Sequence, residues 1–432
     1  MKAENRAKPS SKLCCVSGLT VIAFCGIGLI IFSYIFIDAD NVGDVEYSTP
    51  FTAKYSLDEM RSFAYKNSLS KNYKPSLYFK WNLSFNRIFE DSENRFDINN
   101  NDVIVFLHIQ KTAGTSFEKF LVKYLNISRP CVCNVGKKRC TCLRPNSRKE
   151  TWLFSRYSTG WACGLHSDYT ELSASGCVDR VLDKKEGKHQ KRRYFYTSFL
   201  REPIARFISE YRHVERGATW LASRHVCNGK PPTPEQLPMC FDPEVGWDGV
   251  EMEEFLSCPY NLAFNRQTRM LADLTLINCY DTSTMNSTMR DKIMLESAKN
   301  NLRNLAFFGI KEKMDESQFI FEKTFQMTFT RELAEWNKSK SHDTPLTEIE
   351  MKVIREKNHL DIQLYEFAVK LFNKRLELIQ SNSETKELRP KPIVYFKSED
   401  VESEDEDSGS PEYTDSTFVN DLMNSNESYE HP

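Results

Sequence analysis

The chain's sequence predicts an α/β fold with a central, mainly parallel sheet flanked by helices and preceded by one transmembrane helix, and three observations carry that expectation. Apolar runs at Val103–Leu107, Arg193–Leu200 and Asn304–Ile310 have the β-branched and aromatic character of strands buried on both faces. Each is followed by a segment with helical spacing: Phe117, Phe120, Leu121 and Leu125, then Ile204, Phe207, Ile208 and Tyr211, then Met314–Phe325. Strands alternating with helices make a parallel sheet. Thirdly, Leu13–Ile37 carries no charge and, at about 1.5 Å per residue, is long enough as a helix to cross a hydrocarbon core.

Lys2, Arg6, Lys8 and Lys12 precede the apolar segment and Asp38, Asp40 and Asp44 follow it, so the positive-inside bias predicts a type II signal-anchor with a lumenal body. A cleaved signal peptide is the rival, but the run is long and no A-x-A-like site follows it. The expected organisation is a cytoplasmic tail over 1–12, the anchor over 13–37, a stem and domain edge over 38–94, one domain over 95–380 and an acidic tail over 381–432. That tail is rich in Ser, Glu, Asp and Asn and predicts disorder. The net charge of −2 therefore conceals a more basic body. From Thr344 to Ile379 the chain reads as mostly helical, with Ile349, Val353, Ile354, Leu360, Leu364, Phe367, Ala368, Leu371 and Phe372 facing inward.

Of 13 cysteines, Cys14, Cys15 and Cys25 lie in or beside the anchor. The even set outside it fits disulfides in an oxidising lumen, with connectivity open. Cys131-x-Cys133 and Cys140-x-Cys142 are closer than the C-x₂₋₄-C of structural zinc and suggest a disulfide-pinned loop. Asn82, Asn126, Asn286, Asn337 and Asn426 each begin an N-x-[ST] glycosylation acceptor, which fits the secretory pathway.

The first strand runs into His108-Ile-Gln-Lys-Thr-Ala-Gly-Thr-Ser. Gly114 permits a tight turn, Thr115 or Ser116 can cap the next helix, and a helix start after a strand concentrates amide donors and the positive dipole end on one anion. Lys111 precedes the glycine, so this is not the GxxxxGK[ST] order of a Walker A loop. It resembles the 5′-phosphosulfate loop of sulfotransferases that use 3′-phosphoadenosine 5′-phosphosulfate (PAPS). An ordinary strand–helix connection with a surface lysine fits the same residues, so a second motif is needed. Arg201 ends the second strand and Ser209 lies about two turns into the helix that follows. A guanidinium fork and a hydroxyl there suit a second phosphate, the 3′-phosphate of PAPS.

FLHIQKTAGTSFEKFLV, ETWLFSRYSTGWACGLHSDYTEL, YFYTSFLREPIARFISEYRHVERGATW, NLAFNRQTRMLADLTL and NHLDIQLYEFAVKLF, in order from about Arg95 to Arg375, resemble heparan sulfate 6-O-sulfotransferase. The chain departs from the usual family pattern at Ala113, where glycine is typical, and at Ser116 and Glu118. Glu118 is expected to point away from the anion if the helix starts near Thr115. The resemblance implies a single P-loop-like sulfotransferase domain in the Golgi lumen, PAPS as donor with PAP as product, and a heparan sulfate chain as partner alongside the Golgi membrane. It implies neither a metal nor a nucleic acid.

Sulfuryl transfer moves a group in line between two oxygens, so positioning and electrostatics do most of the work. Lys111 is expected to stabilise the leaving oxygen, while Thr112, Ala113, Gly114, Thr115 and Ser116 surround the 5′-phosphate. A sugar alcohol needs a base near it. His166, in WACGLHSDY, matches the family's catalytic histidine; His108 is the second choice. Arg212, Arg216, Trp220, Arg224, Arg266 and Arg269 are expected to bind the polyanionic acceptor, against the bland alternative of a solvated helix face. Sulfation of another glycosaminoglycan position and a non-catalytic lumenal heparan sulfate-binding protein are the competing functions.

Overall fold

The structure, a computed structural model, describes residues 83–187, 191–218, 224–242, 246–333 and 346–382. The anchor, the cytoplasmic tail, Trp220, Asn82, Asn337 and Asn426 lie outside them, as does nearly all of the acidic tail. Helix α1 (Phe85–Glu90) leads to β1 (Asp102–Leu107), α2 (Gly114–Lys123), the short strands β2 (Leu125–Asn126), β3 (Val132–Cys133) and β4 (Cys140–Thr141), and β5 (Leu153–Phe154). Then come α3 (Cys177–Glu186), β6 (Arg193–Leu200), α4 (Pro203–Val214), α5 (Met252–Ser257), α6 (Arg266–Leu271) and α7 (Ser287–Arg303). Strand β7 (Phe307–Ile310), α8 (Met314–Phe325), β8 (Thr328–Phe329), α9 (Glu348–Lys357) and α10 (His359–Asn382) follow.

The main sheet has the order β5-β1-β6-β7 and every pairing is parallel. Val103 lies opposite Tyr194 and Leu107, the last residue of β1, opposite Ser198, so β6 runs two residues past the end of β1. All six residues of β1 and all four of β7 are buried, which is why these strands read as unbroken apolar runs. Phe117 of α2 packs on Phe199 of β6 at 4.6 Å and on Phe321 of α8 at 5.4 Å between ring centroids. Gly309 of β7 must be glycine, because a Cβ there would meet the Phe199 ring at 2.3 Å. One expectation shifts: Ile349 is 77% exposed at the start of α9 and does not face inward. Within the 38–94 stretch, Leu83 donates to the Tyr194 carbonyl at 3.0 Å and Phe85 is fully buried beneath the Arg375 guanidinium, so these residues pack onto the domain.

The outside cysteines form five disulfides: Cys131–Cys142 and Cys133–Cys140 nested across the β3–β4 hairpin, Cys163–Cys177, Cys227–Cys279 and Cys240–Cys258. The C-x-C thiols are thereby committed to each other and not to zinc. Asn126 is exposed, and exposed Asn286 caps α7 by accepting from the Met289 amide at 2.9 Å.

Between α4, α6 and α10 lies a fully buried ionic network. Glu210 bonds both Arg206 and Arg266, the latter at 3.0 Å from Nε. Asp361 accepts from the Thr268 amide at 2.7 Å and its hydroxyl at 2.8 Å. Burial would raise the Glu210 carboxyl, but the Arg266 and Arg206 guanidiniums outweigh it and hold it below its ordinary value. Removing one partner of such a set strands the others in low dielectric. Glu210→Ala is therefore expected to cost about 3–5 kcal/mol in urea unfolding. Glu296→Ala, which removes the partly exposed Lys299 pair at 3.0 Å, should cost less than about 1 kcal/mol. Equal losses would contradict this assignment.

Candidate active site

In the order β5-β1-β6-β7, the chain crosses from β1 outward to β5 and then back past β1 to β6. The loops leaving β1 and β6 consequently diverge, and a parallel sheet opens its ligand crevice at such a reversal, beyond the carboxyl ends of the strands. The loop after β1 carries Lys111 and the loop after β6 carries Arg201. Arg201 Nη1 donates to the Lys111 carbonyl at 3.2 Å, so the two sequence motifs meet.

Lys111 and Ala113 both occupy the left-handed region, with φ of 64° and 71°. Ala113 is the residue before the helix and therefore pays the cost that glycine avoids. Thr112 between them is fully buried, its hydroxyl donating to the Ile109 carbonyl at 3.0 Å. Helix α2 starts at Gly114, and no side chain caps it. The expected cap by Thr115 or Ser116 is not made, and the first-turn amides are left for an anion. The N-terminus of α4 differs. Glu202 accepts from the Ile204 and Ala205 amides at 3.1 and 2.7 Å and closes it. Ser209, the expected partner of Arg201, lies half-buried on α4. Arg201 itself is fixed through its backbone, which exchanges two 2.9 Å hydrogen bonds with the Gln267 amide.

His166 is 8% exposed, has φ of 53°, and stands between Trp161 at 4.6 Å and His108 at 5.0 Å between ring centroids. Burial, reinforced by His108, Arg156, Arg266 and His225, holds its imidazole well below the ordinary histidine range and so neutral. His108, Arg156 and Trp161 line a small pocket with Gly160, Gly164 and Ser167. Gly114 is required here as well, because a Cβ would lie 3.2–3.3 Å from three atoms of the His108 ring.

Glu118 does not point away from the loop. It is fully buried, bonds His108 Nδ1 through one oxygen and accepts the Arg156 amide at 2.9 Å through the other. Also missed in the sequence was the set behind His166. Glu171 accepts from the Val226 amide at 2.8 Å and faces His225 Nδ1 at 2.9 Å, while its own amide donates to Asp168 at 2.9 Å. Burial raises both Asp168 and Glu171 to about 7 and lowers His225 to about 3. Disulfides Cys163–Cys177 and Cys227–Cys279 pin the two segments that carry this set. A His-x-Asp-x-x-Glu spacing was its only sequence signal.

The expected acceptor-binding arginines differ in exposure, although Arg224 and Arg266 line one groove. Arg266 is buried against Glu210 and Arg269 is 8% exposed, so neither presents its guanidinium to an open face. Burial lowers Arg266 to about 10 despite Glu210. Arg216 is exposed and Arg212 half-buried. Arg224 donates to the Leu237 carbonyl at 2.7 Å and lines a groove with Trp247 and Tyr260.

Comparison with known proteins agrees with this geometry. The profile of the sulfotransferase family matches residues 94–368. Heparan-sulfate 6-O-sulfotransferase 1-B of Danio rerio is 50% identical over 283 residues, which is 65% of this chain and 69% of the relative. Heparan-sulfate 6-O-sulfotransferase 1 of Homo sapiens is 49% identical over 285 residues, 66% of this chain and 68% of the relative. Heparan-sulfate 6-O-sulfotransferase 2 of Homo sapiens is 50% identical over 287 residues, 66% of this chain but 47% of the longer relative. A parallel sheet whose strand-order reversal holds the lysine loop, matched across the domain at half identity, places the chain in the sulfotransferase family among the heparan-sulfate 6-O-sulfotransferases.

Proposed function

We propose that this chain transfers a sulfuryl group from PAPS to the 6-hydroxyl of glucosamine residues in heparan sulfate. The observation that carries the reading is the 3.2 Å contact of Arg201 with the Lys111 carbonyl at the β1/β6 reversal, beside an uncapped helix start. The residues present fit the donor: α2 amides and Lys111 suit a 5′-phosphosulfate, and Arg201 with Ser209 suits a 3′-phosphate. When bound, PAPS supplies the activated sulfuryl group and a leaving phosphate. Lys111 neutralises charge at the leaving oxygen, while Thr112, Ala113, Gly114, Thr115 and Ser116 shape the cradle. His166, neutral and buried, takes the proton of the attacking hydroxyl. Arg212, Arg216, Trp220 and Arg224 contact the acceptor chain.

The five disulfides support an oxidising compartment, and the reading places the domain in the Golgi lumen on a type II anchor.

Lys111→Ala should lower kcat by about 10²-fold, the scale for losing one preorganised donor at a developing charge. Arg201→Ala should weaken PAP binding in calorimetry by about tenfold, as loss of a charge-assisted hydrogen bond predicts. Wild-type turnover in the first variant, or unchanged PAP affinity in the second, would remove the assigned roles.

The base works as neutral imidazole, and its titration lies well below the ordinary 6.5. The His166-dependent fall of kcat/KM should therefore begin only well below pH 6.5, where the imidazole gains its proton. An inflection near 6.5 that His166→Ala abolishes would contradict the buried, neutral state.

A further inference from the structure

Glu118 stands where the chain departs from its family's usual pattern, on the first turns of the phosphate-binding helix. Its carboxylate is fully buried and makes two bonds, one to His108 Nδ1 and one to the Arg156 amide at 2.9 Å. Arg156 in turn reaches Thr115 Oγ1 at 3.4 Å and lies over the Trp161 ring at 5.2 Å. One carboxylate thus ties the donor helix to the loop that carries Trp161. It also decides a proton. Where this carboxylate accepts, Nδ1 of His108 carries the hydrogen and Nε2 is left as the basic atom. The ring lies beside Gly114, where a Cβ would meet three of its atoms at 3.2–3.3 Å, and stands edge-on to the His166 ring at 5.0 Å between centroids, so that a small rotation would bring two imidazole nitrogens to the roughly 3 Å of an N–H···N hydrogen bond.

We propose that Glu118 and His108 are positioning residues that form a proton-holding pair behind His166. The proposal rests on the reading of His166 as base. As the acceptor oxygen bonds to sulfur, the bond from sulfur to the 5′-phosphate oxygen breaks and its electron pair leaves with PAP. The hydroxyl proton goes to one nitrogen of His166, and the proton on its other nitrogen moves to His108 Nε2. His166 ends neutral, and the His108 imidazolium is balanced by the Glu118 carboxylate. The charged and titratable groups whose fields act most on His166 are His108, Arg156, Arg266 and His225. All are cationic when protonated, which disfavours leaving the proton on His166 itself. His108 and His225 each bond a carboxylate, Glu118 and Glu171, and of the two it is the His108 ring that packs against His166.

The test uses Glu118→Gln in the full-length, detergent-solubilised chain. The substituted amide accepts one hydrogen bond and donates one. Since the Arg156 amide is a fixed donor, the amide oxygen must serve it, and the NH₂ group turns to His108. That moves the ring hydrogen from Nδ1 to Nε2 and blocks the relay without changing side-chain volume.

Single-turnover transfer from bound PAPS should fall by about tenfold or more, as when the orienting partner of a functional histidine is lost. PAP affinity and the KM for the polysaccharide should stay within about twofold, since neither donor nor acceptor contact is removed. Rates in mixed H₂O and D₂O should give a bowed proton inventory for the wild type, from two protons in flight, and a linear one for the variant. A linear wild-type inventory overturns the relay even if the variant fails to fold. So does a variant that keeps its rate within twofold. Wild-type turnover in His166→Ala would instead overturn the underlying reading of the base. A linear wild-type inventory with inactive His166→Ala would overturn the relay alone.

Discussion

The reversal of strand order between β1 and β6, in a sheet whose strands all run parallel, is the constraint on which the site depends. Because β5 lies on one side of β1 and β6 on the other, the segments leaving β1 and β6 part at the same edge of the sheet. Matching register, with Leu107 opposite Ser198, brings Lys111 and Arg201 to that edge together. The loop keeps its shape at some expense. Two non-glycine residues in left-handed conformation cost about 1–2 kcal/mol each. Rigid neighbours hold them there: buried β1 on one side, the aromatic packing of α2 on the other, and Thr112 hydrogen-bonded between. Strain of this kind persists only where the surroundings over-determine the backbone.

Buried carboxylates do the remaining positioning. Glu210 and Asp361 lock α4, α6 and α10 together beneath Arg201, whose backbone is held by Gln267 of α6. Glu118 joins the phosphate helix to the Trp161 loop, and Glu171 joins the His166 segment to the His225 segment. Each of these links spans distant parts of the sequence and each would be costly to break, because the partner left behind is a buried donor or charge. Two disulfides fasten the same segments covalently. The result is a site whose walls are preorganised, which is what a reaction driven by positioning and electrostatics needs.

Much of this was legible in the sequence, and the reasons are particular. Strand β6 runs over Arg193–Leu200 and α8 over Met314–Phe325, the expected spans, because burial on both faces and helical spacing leave direct marks on residue choice. The lysine loop was legible because small residues must follow a buried strand there. What escaped was long-range and polar. Glu118 was expected to point away from the anion, since nothing local reveals that it bonds His108 and the Arg156 amide. Arg266 looked like a polyanion contact, since its partner Glu210 is far away in sequence. Disulfide pairing was illegible for the same reason: an even set of cysteines states that bridges exist and not which chain ends they join.

The account stands most directly on where sulfate is placed. Purified full-length chain would be incubated with sulfur-labelled PAPS and heparan sulfate lacking 6-O-sulfate, and the product resolved by disaccharide analysis. The geometry and kinship of the site predict label at the 6-position of glucosamine, incorporated about 10²-fold more slowly when Lys111 is replaced by alanine. Label at another position, or none with a chain that binds PAP normally, would contradict it.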